Sequence, residues 1–308
     1  MNWKLKALIQ NSVSLFPDPV AQPLYYFIQK KFGVFGNPDF SGRYRLAAKF
    51  GAWAREYRNG LQGKTVLEVG TGRTLDLPIA LWLMGADKIM TVDLNTYLRP
   101  ELVPQSIAWL LENKEEYMGI FSAGADEKVL GERFEILSSL GENLGGIMSR
   151  LNIEYLSPAD ATCLDLDDDS IDYHVSLNVL EHIPESVIRG ILCEAKRLLK
   201  PNGAMIHFID PSDHFAHSDD SISAVNFLKF SELQWKLIGG NRFMYHNRMR
   251  AQDYSGLFQN IGLETVKEDE VKDPRSLEQL QNGFPVDAGF AANAAEQNAI
   301  TRYHVLLS

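Results

Sequence analysis

The chain has 308 residues and 45% apolar content, enough for one large domain with its own core. A formal net charge of -10 speaks against a nucleic-acid scaffold, and no apolar run approaches the roughly twenty residues a membrane span needs. The N-terminus lacks a continuous apolar stretch followed by a small-residue cleavage site, and Cys163 and Cys193 are too few for a disulfide framework. The expectation is a cytoplasmic protein with both thiols reduced and buried.

Residues 1–62 read as helical. Leu5, Leu8 and Ile9 fall at helical spacing, Pro17, Pro19 and Pro23 break that helix, and a second helix runs from Leu24 to Phe32. A third helix is expected from Arg43 to Asn59, with Leu46, Ala47, Phe50, Trp53 and Tyr57 on one face. The segment reads as an amphipathic layer packed on the domain, as a lid over a substrate site, or as a membrane-surface helix, in that order of preference.

The first strand is Thr65 to Val69, which breaks at Gly70 and Gly72 into the apolar helix that contains Leu77 to Leu83. Strand, glycine turn and helix form the first half of a nucleotide-binding βαβ unit. Glu68 sits at the buried strand's end, where a carboxylate needs a partner. Thr74 stands where a dinucleotide loop would place its third glycine, so a cationic ligand suits the turn better than a pyrophosphate. A second β-rich run, Ile89 to Val92, ends in Asp93 about twenty residues on, the spacing of a ribose-binding acid.

About sixty residues then separate the second strand from Asp160, where a crossover needs about a dozen. Residues 97–152 therefore hold an insertion, with helices expected at Ser106 to Tyr117 and Lys128 to Leu151 around a loop at Ser122 to Asp126. It reads equally as a decorative hairpin or as a cap over an acceptor pocket. The remaining elements are a strand from Ile171, a helix from Glu185 to Leu199, a strand from Ala204 to Ile209, a helix from Asp253 to Ile261, and closing strands at Leu263 to Val271 and Arg302 to Leu307.

Taken in order, Glu68-Val-Gly70-Thr71-Gly72, Asp93-Leu94, Asp160-Ala161, the Ile171 to Ile183 run and the Arg197 to Ile206 run resemble the motifs of class I S-adenosylmethionine (SAM) dependent methyltransferases. The resemblance implies a Rossmann-like α/β fold: a seven-stranded, mostly parallel sheet with an antiparallel last strand, helices on both faces, and domains at 1–62 (lid) and 63–308. It implies SAM as cofactor, held by Glu68, Gly70, Thr71 and Gly72 on the amino-acid side. Asp93 and Leu94 would lie at the ribose, Asp160 and Ala161 at the adenine, and Asn178 under the methionine portion.

Methyl transfer is an in-line displacement, and a hydroxyl or amine acceptor usually also loses a proton to a base. The candidate bases are His182, Asp213, His214, His217 and His246, because imidazole titrates near neutrality. His214 is preferred, oriented by Asp213. Glu181-His182 also resembles the tail of a Glu-x-x-Glu-His metal signature found in some methyltransferases, with Asn178 in the first place. A divalent metal is thus the less favoured alternative, with His214 or His246 as further ligands. The run from Asn241 to Arg250 has three arginines that suit an anionic or sugar-like acceptor.

The expected function is methyl transfer to a small-molecule hydroxyl, in a monomer or homodimer without nucleic-acid partners. The alternatives are a non-methylating reaction on a SAM-binding fold, an N-directed or metal-assisted methyltransferase, a nicotinamide-dependent dehydrogenase, and a non-catalytic SAM-binding subunit.

Overall fold

The computed structural model describes residues 1–32 and 38–308, so residues 33–37 of the expected lid lie outside the described residues. In chain order the elements are α1 (Trp3–Ser14), α2 (Asp18–Phe32), α3 (Phe40–Arg58), β1 (Thr65–Val69), α4 (Asp76–Leu83), β2 (Lys88–Val92), α5 (Leu102–Glu112), α6 (Lys114–Phe121), α7 (Glu127–Ser138), α8 (Leu144–Arg150), β3 (Ile153–Leu156), β4 (Ile171–Leu177), α9 (Glu185–Leu198), β5 (Leu199–Ile209), α10 (Glu232–Gly239), α11 (Ala251–Asn260), β6 (Thr265–Lys272), α12 (Pro274–Gln281), α13 (Ala295–Asn298) and β7 (Ile300–Leu307). The seven strands form one sheet in the order β3-β2-β1-β4-β5-β7-β6, mostly parallel with the last strands antiparallel.

β1 is central because both of its neighbours need it. Val66 stands opposite Ile89 of β2 and Tyr173 of β4 in parallel register, and all three side chains are buried. A strand covered on both faces reads as a continuous apolar run, as Thr65 to Val69 does apart from Glu68. α9 is amphipathic: Ile188, Ile191, Leu192, Ala195 and Leu198 are buried on one stripe.

The chain forms two compact units. One holds residues 39–177, 190–207 and 306–308; the other holds 1–38, 178–189 and 208–305. The expected boundary at residue 62 does not coincide with this division, since α3 belongs with β1 to β4. In the first unit α3 packs on α4, α5 and α6, and α7 packs on α4. The insertion is four helices where the sequence suggested two; the loop expected at residues 122–126 separates α6 from α7.

In the second unit α1 turns a different face inward from the one expected. Trp3, Ala7, Gln10 and Val13 are buried, while Leu5 and Leu8 stay 51% and 62% exposed. Both faces of α1 carry apolar residues, and the deciding partner is tertiary: Trp3 and Ala7 join Phe215, Val225, Phe227, Leu228, Trp235 and Met244 in one cluster. The prolines also act differently, because α2 begins at Asp18 and carries Pro19 in its first turn and Pro23 within. Proline is tolerated in a first turn, where its missing N–H has no partner to lose. The thiols are a further correction: Cys163 and Cys193 are both exposed, Cys193 because it lies on the outer face of α9.

Candidate functional site

The glycine turn after β1 is built as the sequence suggests. Gly70 and Gly72 have φ of +88° and +71°, a region in which L side chains are strained. A Cβ on Gly72 would meet nothing within 4 Å, so the turn leaves open space beside its backbone. Gly70 donates its N–H to the carbonyl of Val92 at 2.8 Å, which ties the turn to the end of β2.

Two carboxylates flank this turn. Asp93 is buried and its Oδ2 accepts from the Gly72 N–H at 3.1 Å and from the Tyr155 hydroxyl at 3.2 Å. Burial nevertheless pushes its carboxyl up to about 7. Glu68 is also buried; Thr91 donates its hydroxyl to it and pairs with Thr71 in turn. Burial pushes Glu68 up to about 8. A buried acid held part-neutral gains most from a ligand that brings donors or positive charge.

The other proposed cofactor residues are less enclosed. Leu94 is 67% exposed. Asp160 is exposed and its Oδ1 accepts from the Thr162 N–H at 2.9 Å and hydroxyl at 2.8 Å, so a tight turn holds it. The Ala159 N–H donates to the Asp93 carbonyl at 2.9 Å, which brings the Asp160-Ala161 loop to the end of β2. Asn178 follows β4 directly, is exposed, and adopts φ +54°, a conformation that asparagine tolerates better than most residues.

A group that sequence reasoning did not single out supports the turn. Asp76, in the first turn of α4, is 1% exposed. It accepts from the Thr74 hydroxyl at 2.8 Å and from Ser106, and pairs with Arg43 Nε at 2.6 Å. Ser106 in turn meets the buried Tyr44 hydroxyl at 2.8 Å. The available sequence signal was a Thr-x-Asp at the opening of the helix; the ion pair to Arg43 on α3 is long-range and carried none.

The second constellation follows β4 and β5 in the chain. His182 and His214 have ring centroids 4.8 Å apart, His214 and His217 4.8 Å, and His214 and His246 5.0 Å. Three of the chain's seven histidines thus surround a fourth, His214. Desolvation holds His214 and His246 below the usual imidazole range, so both are neutral near pH 7.

The partners differ from those expected. Asp213 does not orient His214: its carboxylate accepts from the Phe215 N–H at 2.8 Å and from Asn226 Nδ2 at 3.1 Å, and burial pushes it up to about 6. The carboxylate beside His214 is Asp210, 3.7 Å from its Nε2. The backbone between 210 and 214 turns, so the neighbour in sequence points away and the residue four back points in. His246 is committed to the fold, since its Nδ1 accepts from the Arg248 N–H at 3.0 Å and its Nε2 faces the Asp210 carbonyl at 3.4 Å.

The arginines of 241–250 are equally committed. Arg242 pairs with Asp18 and donates to the Ser14 carbonyl at 2.8 Å. Arg248 donates to the carbonyls of Phe227 and Phe230 and to Glu232. Arg250 is fully buried and donates to the carbonyls of Pro211, Asn298 and Ile300. The expectation of an anion grip on this stretch is therefore corrected: these guanidinium groups bind loop carbonyls and acids inside their own unit.

Residues 147–207 match the family described as a methyltransferase domain (Methyltransf_11). A comparison with curated proteins finds no match. Among solved structures, the PH0226 protein of Pyrococcus horikoshii is 13% identical with a TM-score of 0.50, over 92% of this chain and 97% of that one. A SAM-dependent methyltransferase of Methanosarcina mazei is 15% identical with a TM-score of 0.42, over 80% of this chain and 92% of that one. The magnesium protoporphyrin IX methyltransferase of Synechocystis PCC 6803, solved with S-adenosylhomocysteine (SAH), is 13% identical with a TM-score of 0.43, over 87% and 82%. No helix among the described residues is long and apolar enough to cross a membrane.

Proposed function

We propose that the chain is a class I, SAM-dependent methyltransferase that methylates a hydroxyl of a small molecule, with His214 taking the hydroxyl proton; the family match at residues 147–207 supports the reading. The cofactor fits the residues present: the Gly70 to Gly72 turn leaves open space, and two buried acids at the strand ends are under-ionised. Gly70, Thr71, Gly72 and Glu68 would hold its amino-acid portion. Asp93 would accept from the ribose hydroxyls, Asp160 and Ala161 would meet the adenine, and Asn178 the methionine chain. When bound, SAM supplies a methyl carbon on a positively charged sulfur.

The observation that carries the proton-transfer reading is the clustering of His182, His217 and His246 around a desolvated His214 beside Asp210. A neutral imidazole has the lone pair that a general base needs, and a carboxylate at 3.7 Å stabilises the imidazolium that forms. Asp210 takes the supporting role first assigned to Asp213. A neutral hydroxylated acceptor suits the site better than an anionic one, because the arginines of 241–250 are already paired within the fold.

The test is SAH formation with a panel of hydroxylated acceptors, together with His214→Ala. The variant should lose turnover by about 10²- to 10⁴-fold with SAH affinity unchanged. Full turnover in that variant would overturn the base assignment, and product formed without SAH would overturn methyl transfer.

A further inference from the structure

Two members of the histidine constellation have polar atoms without a hydrogen-bond partner among the described residues. Glu181 is 0% exposed, and neither carboxylate oxygen has a well-aligned hydrogen-bond donor among the described residues. An unsatisfied buried carboxylate is costly and calls for a counter-charge. Among the described residues His214 Nε2 likewise has no hydrogen-bond partner, since Asp210 at 3.7 Å is too far.

His182 completes the set. Its Nδ1 lies 2.9 Å from the Tyr245 carbonyl, which can only accept, so the proton sits on Nδ1 and the lone pair on Nε2. A backbone carbonyl that fixes the tautomer in this way is the usual support of a metal-binding imidazole. One donor atom from each of Glu181, His182 and His214 lies within 4.8 Å of the other two. Asp210, His214 and His217 satisfy the same limit of 4.8 Å and share His214 with the first group. His246, with both ring nitrogens engaged, walls the group without donating to it.

We propose that Glu181, His182 and His214 bind one divalent first-row transition cation. Two imidazole nitrogens and one carboxylate oxygen favour zinc, iron, cobalt or manganese over calcium or magnesium, which prefer all-oxygen shells. The cation would engage the buried Glu181 oxygens, which have no aligned hydrogen-bond donor among the described residues. Asp210 and His217 then lie at the edge of the shell and are dispensable for capture. Coordination uses the same His214 lone pair that the proposed base uses, so His214 is the base in the ion-free protein and a ligand in the loaded one.

The experiment reads metal uptake and not turnover, so its failure leaves the methyl-transfer reading standing. Full-length protein stripped with chelator is titrated with Co²⁺, followed by visible ligand-field absorption, and with Zn²⁺, followed by elemental analysis after gel filtration. One equivalent should bind. His182→Ala and Glu181→Gln should each weaken binding by about 100-fold or more, and His217→Ala by less than about threefold. His182 is exposed, so its variant keeps the test decisive should the buried Glu181 variant fail to fold. SAH binding and circular dichroism report the fold of each variant. No uptake by the stripped protein, uptake unchanged in folded His182→Ala, or loss in His217→Ala alone would each overturn the assignment.

Discussion

Two groups of imidazoles, one at His174 and His207 and one around His214, differ in what surrounds the rings. His174 on β4 and His207 on β5 are 1% and 0% exposed, with ring centroids 5.3 Å apart. His207 Nδ1 lies 2.8 Å from the Ser176 hydroxyl. Burial is the main cause of both lowered values, and His174 is pushed down to about 4. Of the rings around His214, His246 is buried too while His182 and His217 are exposed, and Glu181 and Asp210 stand among them. The first pair is strand filling that uses imidazole as a flat, weakly polar ring; the second group sits beside a buried carboxyl, Glu181, with no aligned hydrogen-bond donor among the described residues. Desolvation alone therefore does not mark a functional histidine, whereas desolvation beside an unanswered carboxylate does.

The contrast breaks most sharply under substitution. Against the loss of about 10²-fold or more expected for His214→Ala, His174→Phe should leave turnover per folded molecule within about twofold. Equal losses from both variants would erase the distinction. Next in size is acid stability. His174 is neutral in the fold and titrates near its ordinary 6.5 when unfolded, so stability is complete above about pH 6.5 and falls as pH drops toward 4. The loss at the acid end is about 3 kcal/mol for this ring. Urea unfolding at stepped pH should show it, and His174→Phe should flatten that slope.

A smaller effect is expected at the cofactor turn. Asp93 and Glu68 are raised to about 7 and about 8, and their ionised forms accept or attract what SAM brings. SAM affinity should therefore rise by about tenfold between pH 6 and pH 8, with proton release on binding. Calorimetry in buffers of different ionisation enthalpy measures this; a flat profile would remove the acids from the site. The smallest effect belongs to His217, whose side chain is 52% exposed. His217→Ala should shift stability by no more than about 0.5 kcal/mol.

How much of this was readable before the fold was known depends on the range of the interaction. The glycine turn and the placing of Glu68 and Asp93 at strand ends are consequences of local pattern, since positive φ demands glycine and a buried strand demands an apolar run. The face of α1 was not readable, because Leu5 and Leu8 compete with Trp3 and Ala7 and only the distant Phe215 cluster decides. The replacement of Asp213 by Asp210 hinged on how one loop turns. The arginines were the hardest: the carbonyls that hold Arg250 lie at Pro211, Asn298 and Ile300, up to fifty residues away.

The docking of the first dozen residues has a practical corollary. The Trp3 amide donates to Asp219 at 2.7 Å, Lys6 Nζ reaches the His214 carbonyl at 3.4 Å and Ser218 Oγ at 3.0 Å, and the terminal amine meets the Ser218 carbonyl. The beginning of the chain is thus riveted to a loop more than two hundred positions downstream. Trimming it to improve crystals, or crowding it with a purification tag, would unpin the segment that carries His214 while leaving the glycine turn untouched. If the glycine turn holds SAM and His214 is the base, as proposed, such a shortened protein would keep nucleoside binding and lose turnover.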